Sequence, residues 1–256
     1  MRRFSLVYLA TTLLAQASCG RLPTALRIRG GDAADDEDKE KNLRAEVINK
    51  LNQCPTFCVV NGEGNVVGIP NGKGTNGFDV TWFTDIDEAK ELLMLMQASG
   101  DDEAPELKLG CTPLGNAFMI CAGWSEHKSE EGGAEYKMQA SRSVLGAEAE
   151  ATLRAQLLQR GVEDESIERW LLPVFMHDDF QTDTMMPVFF SADALTKGWI
   201  TNGRPVEDAP EQPLMMDIRM LVLAMRQDSG MRAKAQLVPS EEAYKIAKQI
   251  HEQGEA

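Results

Sequence analysis

The residues that could do chemistry are few and scattered along the chain. Of three histidines, only His177, in the run His177-Asp178-Asp179, follows a predicted strand, where an active site can be built. A histidine beside two carboxylates suits acid–base catalysis or a metal site, but the run lacks a second cluster of ligands. Such a run is more typical of a solvated turn. We therefore predict no catalytic residue, cofactor or metal ion, and keep an enzyme acting through His177 and Asp178 or Asp179 as the alternative.

The cysteines do not form a recognisable redox motif. Cys54 and Cys58 flank a predicted strand, so at about 3.3 Å per residue they lie about 13 Å apart, too far for a disulfide. Their spacing also differs from C-x-x-C. Cys121 falls on the apolar stripe of a predicted helix, which is typical of a buried thiol. Pairing between other cysteines stays open.

The elements around these residues occur twice. One short pattern is found as FTDIDEA from Phe83 and as FSADAL from Phe190. Each copy has an aromatic residue at a strand end, then a hydroxyl residue that can cap a helix, then an acid in the first turn. We predict that Phe83 and Phe190 occupy equivalent buried positions and that Thr84 and Ser191 are N-caps.

The neighbouring elements repeat in the same order: strand, strand, helix, strand, helix and a closing Ala/Glu-rich helix. The short helix of each copy has apolar residues spaced i, i+3, i+4, i+7, namely Leu114, Ala117, Phe118 and Cys121, then Ile218, Leu221, Val222 and Met225. The half-repeats span about 50–161 and about 165–254. The sequence predicts an α+β fold of two homologous halves with pseudo-twofold symmetry, a β-sheet flanked by helices.

The N-terminal residues have the composition of an address. Residues 1–17 hold two arginines, an apolar run and a small-x-small cleavage pattern, which indicates a signal peptide. The run is too short to span a bilayer, so we expect no integral membrane segment after cleavage. Residues 18–45 comprise a basic, transit-like segment and an acidic linker, with residues 18–40 expected to be unstructured. The main domain is then 46–256. The alternative is a secreted protein with a short propeptide.

The overall charge excludes one class of partner. The chain has 256 residues, 43% of them hydrophobic, and a formal net charge of -14. Nucleic-acid binding needs clustered Lys and Arg to neutralise phosphates, so we predict that nucleic acid is not a partner. The length and apolar content suffice for a substantial core.

The second half-repeat carries a family resemblance. It reads Leu172-Pro173-Val174-Phe175, then PVFFSADAL from Pro187, then a strand and helix from Leu214 to Met225. These motifs resemble the Tic twenty-two family of plastid protein-import components, and the match covers about residues 50–254. The resemblance implies a chaperone-like, non-enzymatic protein of the plastid intermembrane space, reached through the secretory pathway. Its implied partners are unfolded preproteins and envelope translocon components.

The thirteen methionines of the chain could contribute an adaptable apolar surface. We place candidate client-binding residues at the junction of the two halves, where the helices 114–121 and 218–225 present matching faces, and name Met220 and Met225. The competing interpretation is that methionine at helical spacing is core filler.

The predicted address can be tested with a fusion. We expect a fluorescent protein placed behind residues 1–45 to accumulate at the plastid envelope, because a secretory signal followed by a basic, acid-free extension directs proteins to plastids enclosed by extra membranes. A fusion carrying only residues 18–45 is the control and should stay in the cytosol. Release of the first fusion into the medium would support the secreted alternative.

Overall fold

The structure is a computed structural model that describes residues 33–71, 77–99, 106–125 and 134–254. The chain divides into two units, residues 1–43 and 44–256. Of the first unit the structure describes only the start of helix α1 (Ala33–Leu51), so the predicted signal peptide lies outside the described residues. The prediction of an unstructured tract up to residue 40 is wrong from Ala33 onward.

The first half contains five strands and three helices in the described residues. They are β1 (Pro55–Asn61), β2 (Ile69–Pro70), β3 (Phe78–Phe83), α2 (Ile86–Ser99), β4 (Leu107–Pro113), α3 (Leu114–Cys121), β5 (Ala134–Gln139) and α4 (Ala147–Gln159). Strand β1 pairs antiparallel with β4 along its whole length, and β3 pairs in parallel with β5. Strands β1 and β3 meet antiparallel where Phe57 lies opposite Phe83.

The second half repeats this arrangement with shorter strands. It consists of α5 (Asp164–Arg169), β6 (Pro173–Met176), β7 (Met186–Val188), α6 (Ala192–Thr201), β8 (Leu214–Asp217), α7 (Ile218–Gln227), α8 (Ser229–Lys234), β9 (Ala235–Leu237) and α9 (Glu241–Gly254). Strand β6 pairs antiparallel with β8, β7 pairs in parallel with β9, and Phe175 bridges Phe189. The predicted α+β class is confirmed, and the order of paired strands and helices is similar in the two halves. The fourth paired strand of each half, β5 or β9, was not predicted as part of the pattern.

The strand pairing corrects the alignment of the two halves by one residue. Phe57 faces Phe83 in the first half and Phe175 faces Phe189 in the second, so Phe83 corresponds to Phe189. Both of these residues are buried, whereas Phe190 is half-buried. The predicted equivalence of Phe83 and Phe190 is therefore wrong, because the sequence offers two adjacent phenylalanines and only the pairing selects between them.

The same shift changes one of the two predicted caps. The carboxylate of Asp85 accepts a hydrogen bond from the backbone N–H of Asp87 at 2.9 Å, and so caps α2. Thr84 instead donates its hydroxyl to a backbone oxygen of β5. Ser191 is the cap of α6, as predicted, accepting from the N–H of Ala194 at 3.0 Å.

The first half forms one five-stranded sheet, and the pairs β6–β8 and β7–β9 form two two-stranded sheets, which the bridge between Phe175 and Phe189 joins and which we call together the second sheet. The inner faces of the first and second sheets enclose one shared core. In β1, Cys58 and Val60 point into it while Phe57 points to the opposite face, as the two-residue period of a strand requires. In β6, Val174 points into the same core and Phe175 away from it. The two predicted apolar helix stripes belong to α3 and α7, and all eight of their residues are buried in this core.

The outer face of each sheet is covered partly by a helix from the other half. Helix α9 packs against β1 and β4, where Ala243 joins the cluster around Phe57 and Phe83. Helix α4 packs against β8, where Leu157 clusters with Met215, and the Gln156 side-chain amide donates to the Met215 carbonyl at 3.2 Å. The two halves thus exchange their closing helices.

This exchange makes α4 a test of how the halves depend on each other. Leu157 is fully buried, so Leu157→Ala should lower the free energy of unfolding by about 2–5 kcal/mol. The neighbouring Leu158 is 48% exposed, and Leu158→Ala should change it by no more than about 0.5 kcal/mol. Urea unfolding followed by tryptophan fluorescence and by circular dichroism should give one coincident transition for both variants. Two separated transitions would show that the halves are stable independently.

Candidate functional site

A cavity of about 490 Å³ lies at the junction of the two halves. Three helices begin at its wall, and the turn that follows β5 completes it. Four segments supply much of the lining. They are Thr84 to Asp87 before and within α2, Ser191 to Ala194 at the start of α6, Ser240, Glu242 and Ala243 at the start of α9, and Ser141, Ser143 and Val144 in the turn.

The repeat explains why these segments converge. With Phe83 matched to Phe189, residues 84–87 correspond to residues 190–193. Trp82 pairs with Met138 and Val188 with Leu237, so residues 141–144 likewise correspond to residues 240–243. The cavity is therefore built from corresponding segments of both halves. Any molecule that fills it contacts both halves at once.

The cavity wall combines apolar and polar groups. Apolar surface comes from Phe175, Phe190, Met215, Val144 and Val238. Hydroxyl groups come from both halves, and four carboxylates stand at the helix N-termini. The volume lies within the range of about 300–1,000 Å³ that ligand pockets occupy, and the wall mixes polar and apolar groups more evenly than the usual, largely apolar pocket does.

One buried acid holds the turn that forms part of the wall. Glu88 is 8% exposed, and its carboxylate accepts hydrogen bonds from the side-chain amide of Gln139 at 2.7 Å and from the backbone N–H of Arg142. These bonds fix the chain as it leaves β5. The sequence analysis missed Glu88, because an acid in the first turn of a helix is ordinary and only the fold shows that it is buried.

The predicted client-binding methionines do not line this cavity. Met225 is fully buried in the shared core, so its proposed role in contacting clients is wrong. Met220 is half-buried against the cluster of α4 and α5, away from the junction of the helical stripes. The two matching helix faces form core and leave no groove between them, because all their apolar residues are buried together.

The His177 run caps a short turn. His177 Nδ1 accepts a hydrogen bond from the backbone N–H of Asp179 at 3.3 Å, and its ring meets Trp199 edge-on. The Asp179 carboxylate lies 4.0 Å from the same nitrogen and is largely exposed. Partial burial raises the pKa of the neighbouring Asp178 carboxyl. None of the three residues lines the junction cavity. Within the described ranges, no group of three His, Cys, Asp or Glu side chains could hold a metal ion.

The four cysteines that the structure describes are free thiols. Burial raises the pKa of Cys54 to about 12, of Cys58 to about 11 and of Cys121 to about 12. Cys111 is half-buried, and burial raises the pKa of its thiol as well. Thiols of this kind are poor nucleophiles, since the thiolate is the reactive form.

Helices long and apolar enough to cross a bilayer are absent from the part of the chain that the structure describes.

The chain shares its α+β fold with two solved structures. The chain has the fold of the Tic22 proteins. It matches Tic22 from Plasmodium falciparum at 14% sequence identity and a TM-score of 0.53, covering 81% of this chain and 98% of that one. It matches Anabaena Tic22, described as a protein of protein transport, at 14% identity and a TM-score of 0.51, covering 80% of this chain and 96% of that one.

Sequence comparisons add nothing to this likeness: no protein-family model and no curated protein matches the chain. The resemblance that the motifs around Pro187 predicted is thus confirmed by the fold, with nearly the whole of both neighbours matched.

The thiols provide a test of how deeply each cysteine is buried. At about pH 8 iodoacetamide should modify Cys111 first and leave Cys54, Cys58 and Cys121 nearly unmodified in the folded protein, because almost none of their thiolate is present. The pKa of each of these three thiols is higher in the folded protein than in the unfolded chain, so its neutral form contributes fully to stability only below the unfolded pKa. The free energy of unfolding should therefore fall as the pH rises from about 9 towards 12. Mass spectrometry of labelled protein, with urea-unfolded protein as control, checks the labelling order. Equal labelling of all four cysteines in the folded state would contradict it.

Proposed function

We propose that this protein is a non-enzymatic, chaperone-like component of protein transport that holds unfolded preproteins in the junction cavity. The fold supports the proposal, because nearly the whole length of two Tic22 structures matches it and one of them is described as a protein of protein transport. The cavity supports it as well, since it has the volume and mixed lining of a ligand pocket. A cavity of this size admits a short stretch of extended chain and excludes a folded domain.

The proposed place of action is the plastid intermembrane space, reached through the secretory pathway. The N-terminal composition supports this route, with a signal-like run in residues 1–17 followed by a basic segment. Envelope translocon components would then be the partners that receive the preprotein. Secretion out of the cell is the alternative location.

The proposed relation between the halves is homology about a pseudo-twofold axis. The strand pairing supports it: β1 pairs with β4 and β3 with β5 in the first half, as β6 pairs with β8 and β7 with β9 in the second. The similar element order supports it as well. A duplicated fold places corresponding segments on either side of the junction. A client held there would be gripped from two sides by related surfaces.

The test fills the cavity while leaving its supports in place. Ala192 is exposed and lines the cavity at the start of α6, so Ala192→Trp should block client entry while the melting temperature stays nearly unchanged. Ala155, an exposed alanine of α4 outside the cavity, provides the matched control Ala155→Trp. The measurement is aggregation of a chemically unfolded client protein by light scattering, with and without the full chain.

We expect the unaltered chain and Ala155→Trp to suppress aggregation and Ala192→Trp to lose most of the effect. His177→Ala should also suppress aggregation, since His177 lies outside the cavity; its failure while folded would favour the enzyme alternative. Full suppression by folded Ala192→Trp would place the client site elsewhere. If the unaltered chain has no effect on any unfolded client, the proposed function is wrong.

A further inference from the structure

The charged groups of the junction cavity are of one sign. Asp85 and Asp87 stand at the start of α2, Asp193 in the first turn of α6 and Glu242 in the first turn of α9. Among the described residues that line the cavity, Lys, Arg and His are absent. Each acid also complements the dipole of its own helix, which accounts for its presence there without any ligand. Negative charge is therefore available to a ligand only if the four carboxylates outweigh the positive charge of the three helix N-termini.

The balance of charges leaves the cavity negative. Three helix N-termini contribute about half a positive charge each, roughly 1.5 in all. Lys90, just outside the lining, adds one more, with its ammonium 3.0 Å from Asp87 and 3.9 Å from Glu242. Set against four carboxylates, these positive charges leave an excess of about one to two negative charges. The excess is greatest beside Asp193, which is exposed, because Lys90 pairs with Asp87 and Glu242 instead.

The apolar wall lies next to these carboxylates. The half-buried ring of Phe190 adjoins Ser191 and Ala192, and Phe175 and Met215 supply further apolar surface in the same cavity. Long cationic side chains match both features, because their methylene stems lie along apolar surface while the charged head reaches a carboxylate. An aromatic ring can also attract the cation directly. A neutral apolar peptide would use only half of what the cavity offers, and an acidic one would be repelled.

We infer that the junction cavity selects polypeptide segments in which Arg or Lys alternates with apolar residues, so that this protein distinguishes basic clients from acidic ones. The inference rests on the proposed function, since it names the class of segment that the same cavity takes. The carboxylate of Asp193 receives the cationic head, and the wall around Phe190 takes the apolar neighbours.

The experiment compares two peptides that differ only in charge. One is a short fluorescein-labelled peptide of Arg, Leu, Ala and Ser, and the other has every Arg replaced by citrulline, which keeps the shape and removes the charge. Binding to the full chain is measured by fluorescence anisotropy at low and at physiological salt. We expect the arginine peptide to bind more tightly, and the difference to shrink as the Debye length falls from about 30 Å at 0.01 M to about 8 Å at 0.15 M.

Single-charge variants locate the selectivity. Asp193→Asn keeps the size of the side chain and should weaken binding of the arginine peptide about two- to fivefold, the range that exposed ion pairs supply, while binding of the citrulline peptide stays the same. Asp183→Asn removes an exposed acid outside the cavity and is the matched control. Ala192→Trp should abolish binding of both peptides.

The outcomes separate this inference from the proposed function. Equal binding of both peptides, or an unchanged affinity in Asp193→Asn, overturns charge selection even if the chain still suppresses client aggregation. Equal losses in Asp193→Asn and Asp183→Asn overturn it too, because the effect then comes from the net charge of the whole protein. A chain that binds the arginine peptide in the cavity but does not suppress aggregation keeps the selectivity and loses the chaperone-like role.

Discussion

The exchange of closing helices is the constraint on which this structure depends. The sheets are built from short strands, three or four residues long in the second half, and such strands are stable only when both faces are covered. The inner faces share one core, and each outer face is covered partly by a helix of its own half, α2 or α6, and partly by a helix that the other half supplies, α9 for the first sheet and α4 for the second. The segments that lead into α4 and α9 must therefore cross the junction, and they form part of the cavity wall there. The cavity is a by-product of the way the halves are joined.

The two halves build the same junction between strand and helix with different chemistry. Helix α3 follows β4 directly, and the backbone N–H of Leu114 donates to the carbonyl of Cys54, just before β1, at 2.8 Å. Helix α7 follows β8 directly, and the N–H of Ile218 donates to the carbonyl of Leu172, just before β6, at 2.9 Å. In the second half Asp217 is fully buried at this point, where it accepts the N–H of Leu172 at 3.0 Å and pairs with Arg219 at 2.7 Å. Pro113 occupies the corresponding place in the first half. Since breaking a buried ion pair leaves an unpaired charge, Asp217 and Arg219 must change together.

The sequence predicted those parts of the structure that depend on local periodicity. The apolar stripes of α3 and α7 were correct at every position, because a 3.6-residue period identifies a helix face without knowledge of its neighbours. Strands β5 and β9 were missed because β5 reads AEYKMQ, half of it polar, and each pairs in parallel with a strand distant in sequence. Adjacent phenylalanines at 189 and 190 concealed the register. The cavity could not be predicted, because its walls are turns and caps brought together only by the exchanged helices. The client-binding role of Met225 required an exposed side chain, although Met225 belongs to the apolar stripe of α7 that packs into the core.

The long separation in sequence between α9 and the sheet on which it packs has a consequence for the time course of folding. The first sheet is complete in sequence once β5 has been made, and α2 already packs against its outer face, but the cover is completed only when residues 241–254 arrive more than one hundred residues later. Contacts between such distant residues form late, since the intervening loop must close first. A chain leaving the ribosome therefore remains incompletely folded until α9 has emerged.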